Sequence, residues 1–435
     1  MVSLPSELWL RVIEEMPPTS VPHFYAVSHL FRRLSREIRF SQFAIAYTSA
    51  DDPQAQPPEK AALAARALRR KLDRLTFWSS DSIAPCVRRC HISLRGTALG
   101  VGSRMPLVSA CFEAIARFRN LRELRCGDML WLEAPVLPMR ALTHLTRLQI
   151  DGPLVAGFGG GSPITIAIEE FNYTALPYLR TGGFPFSFLA MLDPTRLRCL
   201  TLRPDLRNEL FGGADAAVMA LFTKLHTLDL VVEKADFNQL HAWISPFPAI
   251  RHLTLDIRLQ CHETIVPATP LAPHLRTFTG SSCVLPLVLQ RNTPHNLTIR
   301  AGHGSLLDLL FQLLSCDRAS CSSITSLELS LQSYDLSTEP VRTLSSVLAL
   351  FPHLVSLTLH IHLCRLVSQL DARAQIGTGH LCDRLPEVLG ALPRLETATV
   401  NWWPEGARVI PDIMALKSAL LASVPSLKYA ICALR

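Results

Sequence analysis

The chain has 435 residues and a net charge of +7, with 49% hydrophobic and 18% charged residues, which excludes a disordered chain. A charge that modest over this length permits an acidic partner without calling for nucleic acid. No apolar run approaches the roughly 18 residues of a membrane span, and the 12 cysteines, with no Cys-x-x-Cys pair among them, read as reduced or buried thiols and not as a disulfide framework.

Taken in chain order, the first element is a short helix. Pro5 is placed for a first turn, with Glu7 beside it where a negative charge complements the helix dipole. Leu8, Val12 and Met16 recur at i, i+4, i+8, with Trp9 and Ile13 alongside, so the apolar stripe is wide. Glu7, Arg11, Glu14 and Glu15 interrupt every window in which a signal-peptide core would lie, so a cytoplasmic or nuclear address is expected. The turn Pro17-Pro18-Thr19-Ser20 ends this helix. Pro22 then opens a second one carrying Phe24, Val27, Phe31 and Leu34.

Two such helices are too small to be stable alone. They either cap the remainder of the chain or dock on another one. The order of residues resembles a family: L-P-x-E-L at 4–8, an apolar step through Leu10, Val12 and Ile13, a proline turn, then Val27-Ser28 and Phe31-Arg32. It is similar to the F-box, the docking module of SCF ubiquitin-ligase subunits, over residues 3–43. It differs at Phe31, where the family usually has tryptophan, and at Val21 and Pro22, where leucines are usual. The resemblance implies adaptor-binding residues Leu4, Pro5, Leu8, Val12, Ile13, Val21, Phe24, Val27, Phe31 and Leu34. It also implies a Skp-type adaptor that joins the chain to a cullin and a RING subunit, with ubiquitin transfer performed by the ligase. A helical hairpin that caps a repeat array is the other reading of this segment.

Residues 46–84 are expected to be a linker and a connecting helix. The stretch 48–58 is polar and proline-rich, and 59–78 has helical propensity, with Ala64, Leu68, Leu72 and Leu75 on one stripe. From 59 to 75 the helix carries a charge of +4, which suits a solvated outer face.

From residue 85 onward the phrase x-L-x-x-L-x-L returns, as in Asn120–Cys126, His144–Ile150, Arg196–Leu202, Lys224–Leu230, Ala249–Leu255, Ser323–Leu329, His353–Leu359 and Arg394–Val400. Looser copies begin at Cys86, Tyr178, His274, Thr293 and Ser426. The spacing averages about 28 residues, and single intervals run from 18 to 41. The pattern resembles an irregular leucine-rich repeat, whose unit is about 20 to 29 residues. The last two apolar positions of each copy lie two apart and so share one face of a strand. Helical patterns at 216–222, 341–351 and 413–424 supply a second layer. Pro177, Pro248, Pro273, Pro352, Pro393 and Pro425 sit two residues before the first apolar position, where proline ends a helix and extends the chain.

The expected fold is therefore α/β: a leucine-rich repeat solenoid over 85–435 with parallel strands on the concave face and helices outside, preceded by a small all-α module over 1–45. Concave positions offer Asp229, Asp256, Arg258, Arg300, Glu328, His360 and His362 to a protein substrate.

Signals for chemistry are weak. The glycine cluster at 157–162 lacks the Lys-Ser or Lys-Thr of a phosphate loop, and no zinc-protease or nucleophile-elbow motif occurs. His360, His362 and Cys364 alternate along one strand, as any amphipathic strand requires, and Cys86, Cys90 and His91, like Cys316 and Cys321, have weaker spacing for a metal. No catalysis, cofactor or metal is expected of this chain. Its function is read as that of an SCF substrate receptor, with a repeat scaffold of no ligase role as the alternative.

Overall fold

The computed structural model describes residues 6–17, 20–48, 56–94, 101–127, 141–152, 165–174, 189, 191–203, 221–232, 237–257, 269–300, 305–332, 340–362, 381, 383–403 and 412–434. The chain forms two compact units, 1–224 and 225–435.

The first unit opens with three helices: α1 (Ser6–Glu14), α2 (Val21–Val27) and α3 (His29–Arg39). The second expected helix is thus divided. Ser28 is extended at φ −158°, ψ 165°, and its hydroxyl accepts the Phe31 N–H at 3.2 Å, so it caps α3 and breaks the run.

Strand β1 (Gln42–Tyr47) follows at once and pairs in parallel with β2 (Arg89–Leu94). It crosses the boundary expected at residue 45. Its Phe43, Ile45 and Tyr47 alternate with exposed residues and are buried, so the sheet begins some forty residues before the first repeat phrase. Nor is α4 (Pro58–Trp78) merely a connector. Its Lys71 Nζ donates to the Ala46 carbonyl of β1 at 2.7 Å, its Arg74 guanidinium lies 5.7 Å from the Phe43 ring, and Trp78 packs on Phe40 and Phe43. Two of its basic side chains are thereby spent on covering the first strand, one device by which a sheet edge is protected.

After β2 come α5 (Val101–Arg117), β3 (Glu123–Gly127), β4 (Arg147–Asp151), β5 (Glu170–Thr174) and β6 (Cys199–Arg203), with each strand parallel to the one before. The register aligns the apolar positions into ladders, one of which runs Phe43, Cys90, Leu124, Leu148, Phe171, Leu200.

The second unit repeats this plan. It contains β7 (Thr227–Val232), α6 (Phe237–Ile244), β8 (His252–Ile257), β9 (Thr277–Ser281), α7 (Leu285–Leu289) and β10 (Asn296–Arg300). It continues with α8 (Leu306–Leu314), α9 (Arg318–Ser322), β11 (Ser326–Gln332), α10 (Pro340–Ala349), β12 (Ser356–His362), α11 (383–390), β13 (Thr397–Trp403), α12 (Ile413–Ser423) and β14 (Tyr429–Leu434). The strands are parallel and in chain order. Leu228, Leu253, Phe278, Leu297, Leu327 and Leu357 form one buried ladder, and the helices bury leucines of their own. This is the leucine-rich repeat plan: the expected phrases that fall on described residues each serve as one strand, the copy expected from Tyr178 lies outside the described residues, and β5 is a strand that no expected phrase marked. The expected helices at 341–351 and 413–424 are present within two residues. Of the helix expected at 216–222, Leu221 lies in a turn and Phe222 in no regular element, and the rest falls outside the described residues.

The prolines have a more specific role than ending helices. In Phe351-Pro352-His353-Leu354 the Leu354 N–H donates to the Phe351 carbonyl at 3.2 Å, and the same bond closes 272–275, 392–395 and 424–427. Each proline occupies the second position of a four-residue turn, where its fixed φ is already correct. At Gly280 the ladder has no room for a side chain. A Cβ there would lie 2.1 Å from the Leu255 carbonyl oxygen and 2.8 Å from the Phe278 ring.

Candidate functional site

Two surfaces carry the residues that the sequence singles out. On the first, the three N-terminal helices close around a core of Ile13, Val21 and Leu34, with Trp9, Phe31 and Ile38 packed against it. The Trp9 and Phe31 rings meet edge to face at 4.9 Å, an arrangement that adds roughly 0.5–1.5 kcal/mol to the area they bury.

This core sorts the ten expected adaptor residues. Ile13, Val21 and Leu34 are interior and Phe31 is half-buried, so these four hold the helices together; that corrects their expected placement on a docking face. By contrast Leu8 (45% exposed), Val12 (43%) and Val27 (68%) face outward. Leu8 and Val12 lie one helical turn apart and share a stripe. Leu30, which the motif did not single out, is exposed with them. Leu4, Pro5 and the Phe24 side chain lie outside the described residues.

The second surface is the outward side of the strands in the 225–435 unit. Register places Asp229, Thr254, Thr279, Thr298, Glu328, Thr358 and Thr399 in one row across β7 to β13. The adjacent row contains His360 on β12 and Asn401 on β13, and a third pairs His362 with Trp403. Among the expected substrate residues, Glu328 and His360 are brought into contact, with Nε2 of His360 2.8 Å from Oε1 of Glu328. Nδ2 of Asn401 lies 3.3 Å from Nδ1 of His360. Whether or not His360 carries a proton at Nδ1, its Nε2–H is the group that can donate to the Glu328 carboxylate. Glu328 Oε2 has a weaker partner, the Thr298 hydroxyl at 3.4 Å.

His362 stacks on Trp403 at 4.6 Å with an interplanar angle of 11°, and His360 lies 5.2 Å from the same ring. Asp256 and Arg300 form a separate pair, 3.9 Å apart, and Asp256 also accepts from the Ser281 hydroxyl at 3.3 Å. Asp229 is half-buried on its row, away from Glu328. Arg258 and Cys364 fall outside the described residues, as does the glycine cluster at 157–162. Sequence reading passed over Trp403 and left Asn401 out of the site. The signal was present: Thr399, Asn401 and Trp403 continue the two-residue alternation of the strand.

Among the described cysteines Cys86, Cys90, Cys111, Cys126 and Cys321 are buried. Cys90, Cys111 and Cys126 are buried in the first unit, whereas His91 faces outward on the opposite side of β2 from Cys90. Burial holds the Cys126 thiol well above its ordinary range and pushes Cys111 up to about 12. Cys316 and Cys321 are raised likewise, to about 12 and about 11. Among the described residues no group of three or more His, Cys, Asp or Glu is placed to hold a metal ion, and no helix is long and apolar enough to cross a membrane.

No protein-family model matches the chain, and no curated protein does. Among solved structures it is similar to the leucine-rich repeat-containing protein LegL7 from Legionella pneumophila, with a TM-score of 0.32 and 12% identity over 84% of this chain and 87% of that one. It is also similar to an internalin from Listeria monocytogenes, with a TM-score of 0.30 and 14% identity over 73% of this chain and 82% of the other. The repeat architecture rests on the strands and their register, not on these scores.

Proposed function

We propose that the chain is the substrate-recognition subunit of an SCF-type ubiquitin ligase, docking a Skp-type adaptor through its N-terminal helices and a target protein through the strand face of its repeats. The observation that carries this reading is the division within the helices. Ile13, Val21 and Leu34 already form an interior, yet Leu8, Val12, Val27 and Leu30 remain outside it. A module of some 35 residues has little apolar surface to spare, and an exposed apolar stripe on it fits a docking face.

In this reading the chain performs no chemistry itself and works in the cytoplasm or nucleus. It holds a target lysine near a charged conjugating enzyme, a contribution of proximity. The exposed polar rows of the repeat strands supply the target-binding surface. The same rows would serve a protein-interaction scaffold with no ligase role, and the module decides between the two.

The test is co-purification of full-length protein with a purified Skp-type adaptor and cullin. The wild type is expected to retain both, and Leu8→Asp with Val12→Asp is expected to lose both while keeping its folding transition. Retention by the double variant, or no retention by the wild type, would leave the scaffold reading.

A further inference from the structure

The strand face of the 225–435 unit has a local chemistry that differs from the chain as a whole. Overall the protein is basic. On the described strands of this unit, however, the fixed charges are Asp229, Asp256 and Glu328 against Arg300 alone, and Arg300 is engaged with Asp256.

Glu328 stands in a particular setting. On β11 its outward neighbours are Ser326 and Ser330; across the sheet it is flanked in register by Thr298 on β10 and Thr358 on β12. All four are short and hydroxylic. Parallel strands are about 4.8 Å apart, and residues two apart on a strand are separated by about 6.7 Å. The carboxylate therefore occupies a clearing roughly 10 Å across between the two threonines, wide enough for a planar guanidinium. It is 45% exposed.

The Glu328 carboxylate and the four hydroxyls around it can all accept hydrogen bonds. Glu328 gives Oε1 to the His360 N–H and, among the described residues, meets only the Thr298 hydroxyl at Oε2, which leaves acceptor capacity on a charged oxygen. The hydroxyls of Ser326, Ser330 and Thr358 offer further lone pairs. Behind His360, Asn401 is 3% exposed and its Oδ1 is buried with no hydrogen-bond partner. An orphaned buried acceptor costs roughly 1–3 kcal/mol, and this one lies against the His360 that contacts Glu328. Anionic partners are repelled here, and neutral apolar ones would strand the carboxylate.

We infer that the Glu328 clearing is a recognition pocket for a basic side chain of the partner protein, arginine in preference to lysine. Arginine brings five N–H donors in a plane, matching one carboxylate ringed by hydroxyl oxygens, whereas lysine brings a point charge with three. His360 orients the carboxylate, and Asn401 packs against the far side of the His360 ring. This inference deepens the reading of the strand face as the target-binding surface and does not depend on adaptor docking.

The experiment uses the full chain and immobilised decapeptides of mixed Gly, Ser and Ala with a fixed central residue: arginine, lysine, citrulline or glutamate. Arginine peptides are expected to be retained at least tenfold better than citrulline peptides, which have the same shape without the charge, with lysine between them and glutamate weakest. Glu328→Gln is isosteric, lies at a half-exposed position and should leave the thermal transition unchanged while erasing the preference for arginine. Equal retention of arginine and citrulline, an arginine preference that survives Glu328→Gln, or glutamate peptides retained best would each overturn the inference. Adaptor capture by the same Glu328→Gln protein is read in parallel. If the peptide preference is absent and the adaptor is still captured, only the pocket fails; if the reverse, only the ligase reading fails.

Discussion

The N-terminal helices and the repeat strands both advertise themselves by apolar periodicity, but the two patterns mean different things. On β12 every inward position, Leu357, Leu359 and Ile361, is buried, and each joins a ladder with its neighbours. On α1 the stripe divides: Ile13 is interior while Leu8 and Val12 stay in solvent. A strand in a stack has partners on both sides, so the stack uses up its apolar face. A helix in a module of some 35 residues has only a few partners, and the remainder of its stripe stays exposed.

Substitutions across that divide sharpen the contrast. The largest effect is expected at Ile13→Asp, which puts a charge into the three-residue core and should unfold the helices at a cost of more than about 4 kcal/mol. Limited proteolysis within residues 6–40 reads this directly, and the repeat strands should remain protected. Leu8→Asp on the outer part of the same stripe should leave that proteolysis pattern unchanged. Leu357→Ala, in the ladder, should cost about 2–5 kcal/mol in denaturant unfolding of its unit. If Leu8→Asp destabilises as much as Ile13→Asp, the division of the stripe is wrong.

Smaller effects test the local devices. Ser28→Ala removes the cap that separates α2 from α3, and a loss of about 0.5–2 kcal/mol is expected in the stability of the helices. The smallest effect is a pH dependence. Cys111 holds its proton to about 12 in the folded unit, whereas an unfolded thiol ionises near pH 8.5. Folding therefore gains nothing from it below pH 8.5, and stability declines as pH rises from there toward 12. At pH 9 the decline should be under about 1 kcal/mol, and Cys111→Ser should reduce it. A thermal transition that rose between pH 8 and 9 in the wild type would contradict this.

Much of the fold was legible because the repeat phrase is physically redundant. Two apolar residues two apart, preceded by a turn with proline in its second position, recur often enough to show strands without a helix count. Strand β1 was missed because Gln42–Tyr47 lacks the leucine phrase, although its alternation of Phe43, Ile45 and Tyr47 was present. The break at Ser28 was missed because Phe24, Val27, Phe31 and Leu34 keep helical spacing across it, and a single hydroxyl cap overrides that spacing. At the candidate sites, sequence identified outward residues but not which of them meet. Glu328 and His360 are 32 positions apart, and only register joins them. Burial of Ile13, Val21 and Leu34 was likewise invisible, since a stripe does not say which part of it another helix will cover.

The most direct measurement is hydrogen exchange on the full chain with and without a purified Skp-type adaptor. The account predicts slowed exchange confined to the helices that carry Leu8, Val12, Val27 and Leu30, with no change in β7 to β14. Protection on the repeat strands instead, or none anywhere at saturating adaptor, would contradict it.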